Sequence, residues 1–254
     1  MAEAPVSVGI ITYDHAHLKT EQIANRLLLN GSLPGGIPIN LKLLALPFSA
    51  RAKRDVLFQH RPDQEQSIHT RELARFHNIE FLPCTYDQIA EVADYYLVAG
   101  AGIFAASAIG HKKIINAHPG IIPCARGLDA FKWTILDQMP LGVTLHYIDA
   151  EVDAGQTIAI FETPMFPGDD LTTLARRHYE LELDVLCEFL RIMESGRKPA
   201  RREYPEHPAR RRMPIARERE MMANFPTYRA KFSAHSSMVG NGSRPPASDA
   251  SRNK

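Results

Sequence analysis

Three features of the sequence predict an α/β fold built on a mostly parallel central sheet. Short, nearly all-apolar runs rich in β-branched residues recur through the first half of the chain, which is how strands buried on both faces read. Stretches with helical spacing alternate with them, implying βαβ units and a sheet with helices on both faces. Near residue 142 the alternation gives way to two strand-like runs in succession, a late hairpin-like addition.

The elements follow in order. Residues 6–12 (VSVGIIT) form the first strand, and 18–30 a helix with Ile23 and Leu27 on one side and Asn30-Gly31 at its end. Residues 39–46 read as a strand, 65–77 as a helix and 79–82 as a short strand. Residues 94–100 (DYYLVAG) form a central strand that runs into the turn Ala99-Gly100-Ala101-Gly102, and 113–117 is the next strand. Residues 142–149 and 156–163 are the late pair, joined by an acidic, glycine-containing loop. Residues 171–193 carry Leu174, His178, Leu181 and Val185 at helical spacing behind a cap at Asp169 or Asp170. Between 197 and 219 there are nine Lys and Arg against three Glu, with four prolines, and from 233 the chain is rich in Ser, Gly, Asn and Pro. These shifts divide the chain into a catalytic domain over 1–196, a basic Pro-rich extension over 197–232 and a disordered tail over 233–254.

Composition bounds the function. The 254 residues are 44% hydrophobic and 23% charged, with a net charge of +1, enough for a real core and no general affinity for polyanions. Neither nucleic acid nor membrane is an expected partner. Three widely separated cysteines argue against a disulfide framework or a zinc cluster. The start, Met-Ala-Glu-Ala-Pro, resembles no signal peptide, and no run approaches the ~20 apolar residues of a spanning helix. A cytoplasmic protein is expected.

The chemistry-bearing residues lie where strands end. The loop after the first strand, Tyr13-Asp14-His15-Ala16-His17, has no glycine, so neither the dinucleotide fingerprint nor a P-loop is present. His15 and His17 read as substrate contacts, as metal ligands or as ordinary polar loop residues. The glycines at 100 and 102 mark either a tight turn or a place where backbone meets a flat ring. Asn116 and His118, two apart at a strand end and followed by Pro119-Gly120, share one side of the strand. An amide donor beside an imidazole suits an oxyanion and a proton; a structural Asn and a satisfied His at a turn read equally well. Asp153 belongs either to a surface turn or to a carboxylate folded back onto His118. His146 lines the same cavity or is a half-buried strand residue.

Asn-Ala-His-Pro-Gly-Ile-Ile-Pro from Asn116, then Arg126-Gly127, then Gly142-Val143-Thr144-Leu145-His146, then Asp153-Ala154-Gly155 together resemble the 10-formyltetrahydrofolate-dependent formyltransferases. That family includes glycinamide ribonucleotide, methionyl-tRNA and nucleotide-sugar enzymes. The likeness runs from about Asp94 to Met165 and is absent after about Gly196. It implies a Rossmann-like formyltransferase fold, a catalytic set of Asn116, His118 and Asp153, and no metal. It implies that the pterin of 10-formyltetrahydrofolate, the co-substrate, lies against the backbone of Gly100, Ala101, Gly102, Ile103 and Phe104 and of Ile148, Asp149 and Val152. The acceptor is expected to be a small primary amine, an amino sugar first, touched by Arg126 at the cleft rim, His146 and His15. The glycine-free first loop argues against glycinamide ribonucleotide, and the short C-terminal region against methionyl-tRNA. A formyltetrahydrofolate hydrolase and a non-catalytic folate binder are the remaining alternatives. Trp133 is expected in a helix core.

Overall fold

The computed structural model describes residues 4–29, 32–33, 37–50, 54–149, 153, 155–196 and 204–236. Its strands are β1 (Val6–Tyr13), β2 (Ser32–Leu33), β3 (Ile37–Leu46), β4 (Glu80–Pro83), β5 (Tyr95–Val98), β6 (Ile114–His118), β7 (Gly142–Tyr147) and β8 (Thr157–Glu162). Its helices are α1 (Leu18–Leu29), α2 (Thr70–Phe76), α3 (Ala106–Ile109), α4 (Ala130–Leu136), α5 (Leu171–Cys187), α6 (Phe189–Glu194) and α7 (Ile215–Ser236). The strands form one sheet in the order β2-β3-β1-β5-β6-β7-β8, with β4 also on β3. β4, β3, β1, β5 and β6 run parallel, and β7 and β8 add antiparallel as the expected hairpin.

Alternation within β1 explains its unbroken apolarity. Val8 and Ile10 join a cluster with Ile23, Leu27, Leu183 and Leu186 from α1 and α5, while Ile11 joins Leu44, Val98, Phe104, Ile109 and Ile114 on the other face. Both faces are buried, so both need apolar side chains. From β1 the chain goes to β3 on one side and later to β5 on the other. The loops after β1 and β5 therefore face each other where the strand order reverses, the place open α/β sheets offer to ligands.

Three helical expectations change. The helix expected over 65–77 begins at Thr70, because 64–67 is taken up by turns around Asp63 and Gln64. His69, not an aspartate or serine, caps it by accepting from the Arg71 N–H. The helix expected over 171–193 is capped by Asp170, as anticipated, but breaks at Glu188 into α5 and α6. The largest change is C-terminal. The region 204–233 is no loose extension: Met213, Met221, Phe225 and Tyr228 complete a core cluster with Phe131, Ile135 and Leu174. Lys132 and Glu218 pair at 2.6 Å in its midst, both nearly sealed from solvent. Ser233, where the tail was expected to start, is a buried residue of α7. Residues 197–203 and 237–254 lie outside the described residues. No helix among the described residues is long and apolar enough to cross a membrane.

Candidate active site

β6 ends in Asn116 and His118, and β7 runs antiparallel beside it with His146 opposite Asn116 and Thr144 opposite His118. Pairing thus brings two histidines and an amide to one corner of the sheet. Their rings stand edge to face with centroids 6.4 Å apart. The loop after β7 returns Asp153 to the same corner, at φ 48°, a left-handed conformation that Asp tolerates better than branched residues do. Asp153 Oδ2 lies 3.4 Å from His118 Nδ1, and its Oδ1 lies 3.9 Å from His146 Nε2. The Gly127 N–H donates to Oδ2 at 2.9 Å. Asn116, His118, His146 and Asp153 are therefore neighbours in the fold, and Asp153, though a turn residue, has its carboxylate turned toward His118.

Hydrogen-bond logic then orients the groups. His146 Nδ1 faces the Tyr147 carbonyl at 2.9 Å, and a carbonyl only accepts, so Nδ1 carries the proton. Burial, aided by the nearby His118, pushes His146 down to about 4, against the pull of Asp153. The ring is therefore neutral near pH 7, and its Nε2 accepts from Asn116 Nδ2 at 3.3 Å. That contact fixes which end of the Asn116 amide is nitrogen and leaves its second N–H for an incoming oxygen. His118 Nε2 faces the Ala125 carbonyl at 2.6 Å, so it donates there, while Nδ1 faces the Asp153 carboxylate. Both of its ring nitrogens look at acceptors, an arrangement that the doubly protonated ring satisfies. His118 is only 3% exposed, and a donation to substrate exchanges one of these two contacts.

The chain beyond His118 is held from two sides. The Thr144 hydroxyl donates to the Gly120 carbonyl at 2.8 Å and accepts from the Ile122 N–H. His178 Nε2 donates to the Pro119 carbonyl at 3.2 Å, while its Nδ1 meets the Thr163 hydroxyl at 2.7 Å. Burial pushes His178 down to about 4 and keeps it neutral for both bonds. Gly120 has no room for a side chain: a Cβ there would stand 2.4 Å from the Ala125 carbonyl oxygen and 2.9 Å from His118 Nε2. His178 and Thr163 were missed as site support, because a histidine in an apolar helical stripe reads as core.

At the switch point the two facing loops touch. A Cβ on Gly100 would lie 2.7 Å from both His17 Cε1 and Tyr13 Cε2. His17 Nδ1 bonds the Thr20 hydroxyl at 2.8 Å, and burial, with help from Lys19, Arg61 and His15, pushes its ring down to about 3. His15 is stacked on Phe48 with ring centroids 3.9 Å apart and lies edge-on to His69. Asp14 pairs with Arg71 beside them.

The residues expected along a pterin divide. Ala101, Phe104 and Ile148 meet in one apolar cluster, so the two loops share a wall. Gly102 and Ile103 are exposed at the edge of that wall, and Asp149 is exposed beyond it. An open cavity of about 350 Å3 runs past Ile148 and Asp149 to Tyr147, Ala106 and the 109–113 turn, and does not reach Asn116 or His118. Val152 lies outside the described residues. An apolar wall ending in exposed backbone fits one face of a flat ring.

Arg126 corrects its expectation. It is buried rather than exposed at a rim, with Glu206 Oε1 3.9 Å from its Nη1 and its carbonyl accepting from the Arg210 N–H. Trp133 is half-buried on α4; its ring is covered by Arg210 at 4.5 Å, and its Nε1 donates to the Arg211 carbonyl. Among the described residues no group of three or more His, Cys, Asp or Glu is placed to hold a metal ion.

Residues 86–190 match the formyl transferase family model, and the chain carries a formyl transferase domain over that segment. A methionyl-tRNA formyltransferase of Syntrophus aciditrophicus is 33% identical over 86 residues, 34% of this chain and 28% of that protein. A dTDP-4-amino-4,6-dideoxyglucose formyltransferase of Mycobacterium tuberculosis is 29% identical over 114 residues, 43% of this chain and 49% of that protein. The matches thus span less than half of either relative. A sugar N-formyltransferase structure from a Shewanella species superposes with a TM-score of 0.56 at 16% identity over 87% of both chains, so the fold is that of the formyltransferases.

Proposed function

We propose that this protein moves the formyl group of 10-formyltetrahydrofolate to a primary amine of a small acceptor, an amino sugar, free or nucleotide-linked. The observation that carries the reading is the meeting of Asn116, His118, His146 and Asp153 at one corner of a sheet within the formyl transferase domain. An amide donor, a paired imidazole and a carboxylate are what acyl transfer to nitrogen needs. The amino-sugar acceptor is supported by the mycobacterial relative, whose match is longer than that of the methionyl-tRNA enzyme.

The chemistry follows from the orientation of the groups. The acceptor amine attacks the formyl carbon, a C–N bond forms, and the carbonyl oxygen becomes an oxyanion. The free N–H of Asn116, fixed by His146, points a donor at that oxygen, and a ring proton of His118 adds a second. One such donor is worth about 3 kcal/mol in comparable acyl transfers. The amine gives up one proton, and the bond to N10 of the folate breaks as N10 gains one. Asp153 holds the charge of His118 while that proton crosses, through water, from one nitrogen to the other. The Ala101, Phe104 and Ile148 wall holds the pterin, and holding both reactants in place supplies much of the remaining acceleration.

The test is formyl transfer from 10-formyltetrahydrofolate, followed by absorbance as tetrahydrofolate is released. The acceptor panel is nucleotide-linked and free amino sugars, glycinamide ribonucleotide, methionyl-tRNA and a blank without acceptor. Turnover with an amino sugar and none in the blank is the expected result. Turnover in the blank would make the protein a hydrolase, and folate binding without turnover would make it a binder.

A further inference from the structure

We infer that the segment 207–213 is a positioning element for Asp153 and, through it, for His118; this rests on the catalytic reading of that pair. The segment lies along the loop that follows β6 and is tied to it by main-chain bonds. The His207 N–H donates to the Pro123 carbonyl at 3.2 Å, the Arg210 N–H to the Arg126 carbonyl at 3.0 Å, and the Leu128 N–H to the Arg210 carbonyl at 2.8 Å. The last two bonds bracket Gly127 on either side, and Gly127 donates the 2.9 Å bond to Asp153 Oδ2. A peptide plane gripped at both neighbours has little freedom to turn its N–H elsewhere. Gly127 takes φ +87°, and a Cβ on it would stand 2.3 Å from the Arg210 oxygen, so the strap lies directly against its α-carbon.

The strap is itself anchored at both ends of the helix α4 that it crosses. The Met213 N–H donates to Asp129 Oδ2 at 2.9 Å, and Arg212 approaches the other oxygen. Trp133 Nε1 donates to the Arg211 carbonyl at 2.9 Å, and Arg210 covers the Trp133 ring while pairing with Asp137 at 2.8 Å. Asp153 needs this support. It sits on a loop rather than a strand, in a left-handed conformation, and the Gly127 N–H is the main-chain donor that meets its carboxylate among the described residues. The polar residues that look least like a site, a basic run with prolines, thus set the aim of the carboxylate.

A merely structural strap and a positioning strap differ in what they change. In Arg210→Pro the bond to Arg126 is lost; in Arg210→Ala all main-chain bonds remain, and only the Trp133 and Asp137 contacts go. The expected result is a loss in kcat of about tenfold or more for Arg210→Pro with KM for the folate nearly unchanged. Its pH–kcat profile moves in the direction that Asp153→Asn moves it. Arg210→Ala lowers the melting temperature and leaves the profile alone. In an Asp153→Asn background, Arg210→Pro adds less than about twofold, because residues acting through one group do not add. A full additive loss, or an unmoved profile, overturns the inference. Should Arg210→Pro not fold, the pair Asp129→Gly and Trp133→Phe loosens the same strap and carries the same expectations. Exchange of the Gly127 amide proton, read by NMR, is independent of turnover. It should quicken at least about tenfold in the loosened variants and not in Arg210→Ala. Unchanged exchange overturns the inference even if Asp153→Asn keeps native activity, an outcome that would instead sink the catalytic reading.

Discussion

Lowering the pH from 7 to 5 should destabilise this protein far more than its near-zero net charge suggests, because its buried histidines resist protonation. His17 is pushed to about 3, and His146 and His178 to about 4, in each case chiefly by burial. His60 is displaced in the same direction, buried near Arg61, Lys132 and His178. The sign follows from the comparison with the unfolded chain, where each ring titrates near 6.5. The folded values lie below the unfolded ones, so the unfolded state binds more protons as pH falls, and stability falls with it. The contribution is whole above about pH 6.5 and is lost down to about pH 4, where it levels off.

The rings of His17, His146 and His178 set the magnitude. A group moved from 6.5 to about 4 or lower removes about 1.8 kcal/mol between pH 7 and pH 5, so three remove about 5 kcal/mol. That is a large part of the 5–15 kcal/mol typical of a folded domain. Urea unfolding followed by circular dichroism at pH 7, 6 and 5, at fixed ionic strength, measures it, provided the slope with urea stays constant. His178→Gln keeps a donor for the Pro119 carbonyl and removes one titrating ring, so it should flatten the dependence by roughly a third. A total change below about 1 kcal/mol would refute the reasoning, since the histidines would then have to gain protons in the folded state as readily as in the unfolded.

Other expectations follow from single contacts. Asn116→Ala, His118→Ala and Asp153→Ala should each lower kcat for formyl transfer by ~10²-fold or more with an unchanged circular dichroism spectrum, and near-native activity in any one removes it from the mechanism. Burial would raise the Glu182 carboxyl, but Arg61 and Lys19 hold it at about 2. Glu182→Gln strands the buried Lys19 ammonium and leaves the partly exposed Arg61 without its carboxylate, and should lose about 3 kcal/mol in urea unfolding. Gly120→Ala forces a methyl against the Ala125 carbonyl and His118; a drop in kcat larger than the loss of stability accounts for is expected, and equal kcat would mean the loop moves aside.

The sheet was legible because burial on both faces leaves a plain mark. Residues 6–12 and 39–46 are so apolar that no other element fits them, and the parallel order follows from the helices between. The antiparallel pair β7 and β8 was legible from the loss of an intervening helix. α7 was harder to read, although Met221, Phe225 and Tyr228 recur at helical spacing. Seven basic residues and four prolines just ahead of it outweighed three apolar ones in a reading by composition. The burial of Arg126 was not legible either: no local pattern announces it, and its carbonyl accepts from Arg210, more than eighty residues later. His146 and Asn116 were legible as neighbours only once the register of β6 on β7 was known, since thirty residues separate them.

The site divides into a half held on paired strands and a half held by a loop, and that division bears on catalysis. Asn116 and His146 sit on paired strands, bonded to each other and to a strand carbonyl, so the donor for an oxyanion is set before any substrate arrives. Preorganised donors are effective because no reorganisation is needed at the moment charge develops. His118 is different. Its Nε2 proton rests on the Ala125 carbonyl, which belongs to the loop rather than the sheet. Substrate must win that proton from a loop carbonyl, while Asp153 keeps hold of Nδ1. A strained, tightly held loop would make the exchange costly, and a loose one would let Asp153 drift. The loop is held along its length: Thr144 and His178 bond the Gly120 and Pro119 carbonyls, and the 207–213 strap bonds the Pro123 and Arg126 carbonyls. Proton exchange at Nε2 therefore draws on a carbonyl whose loop is fixed on both sides of it.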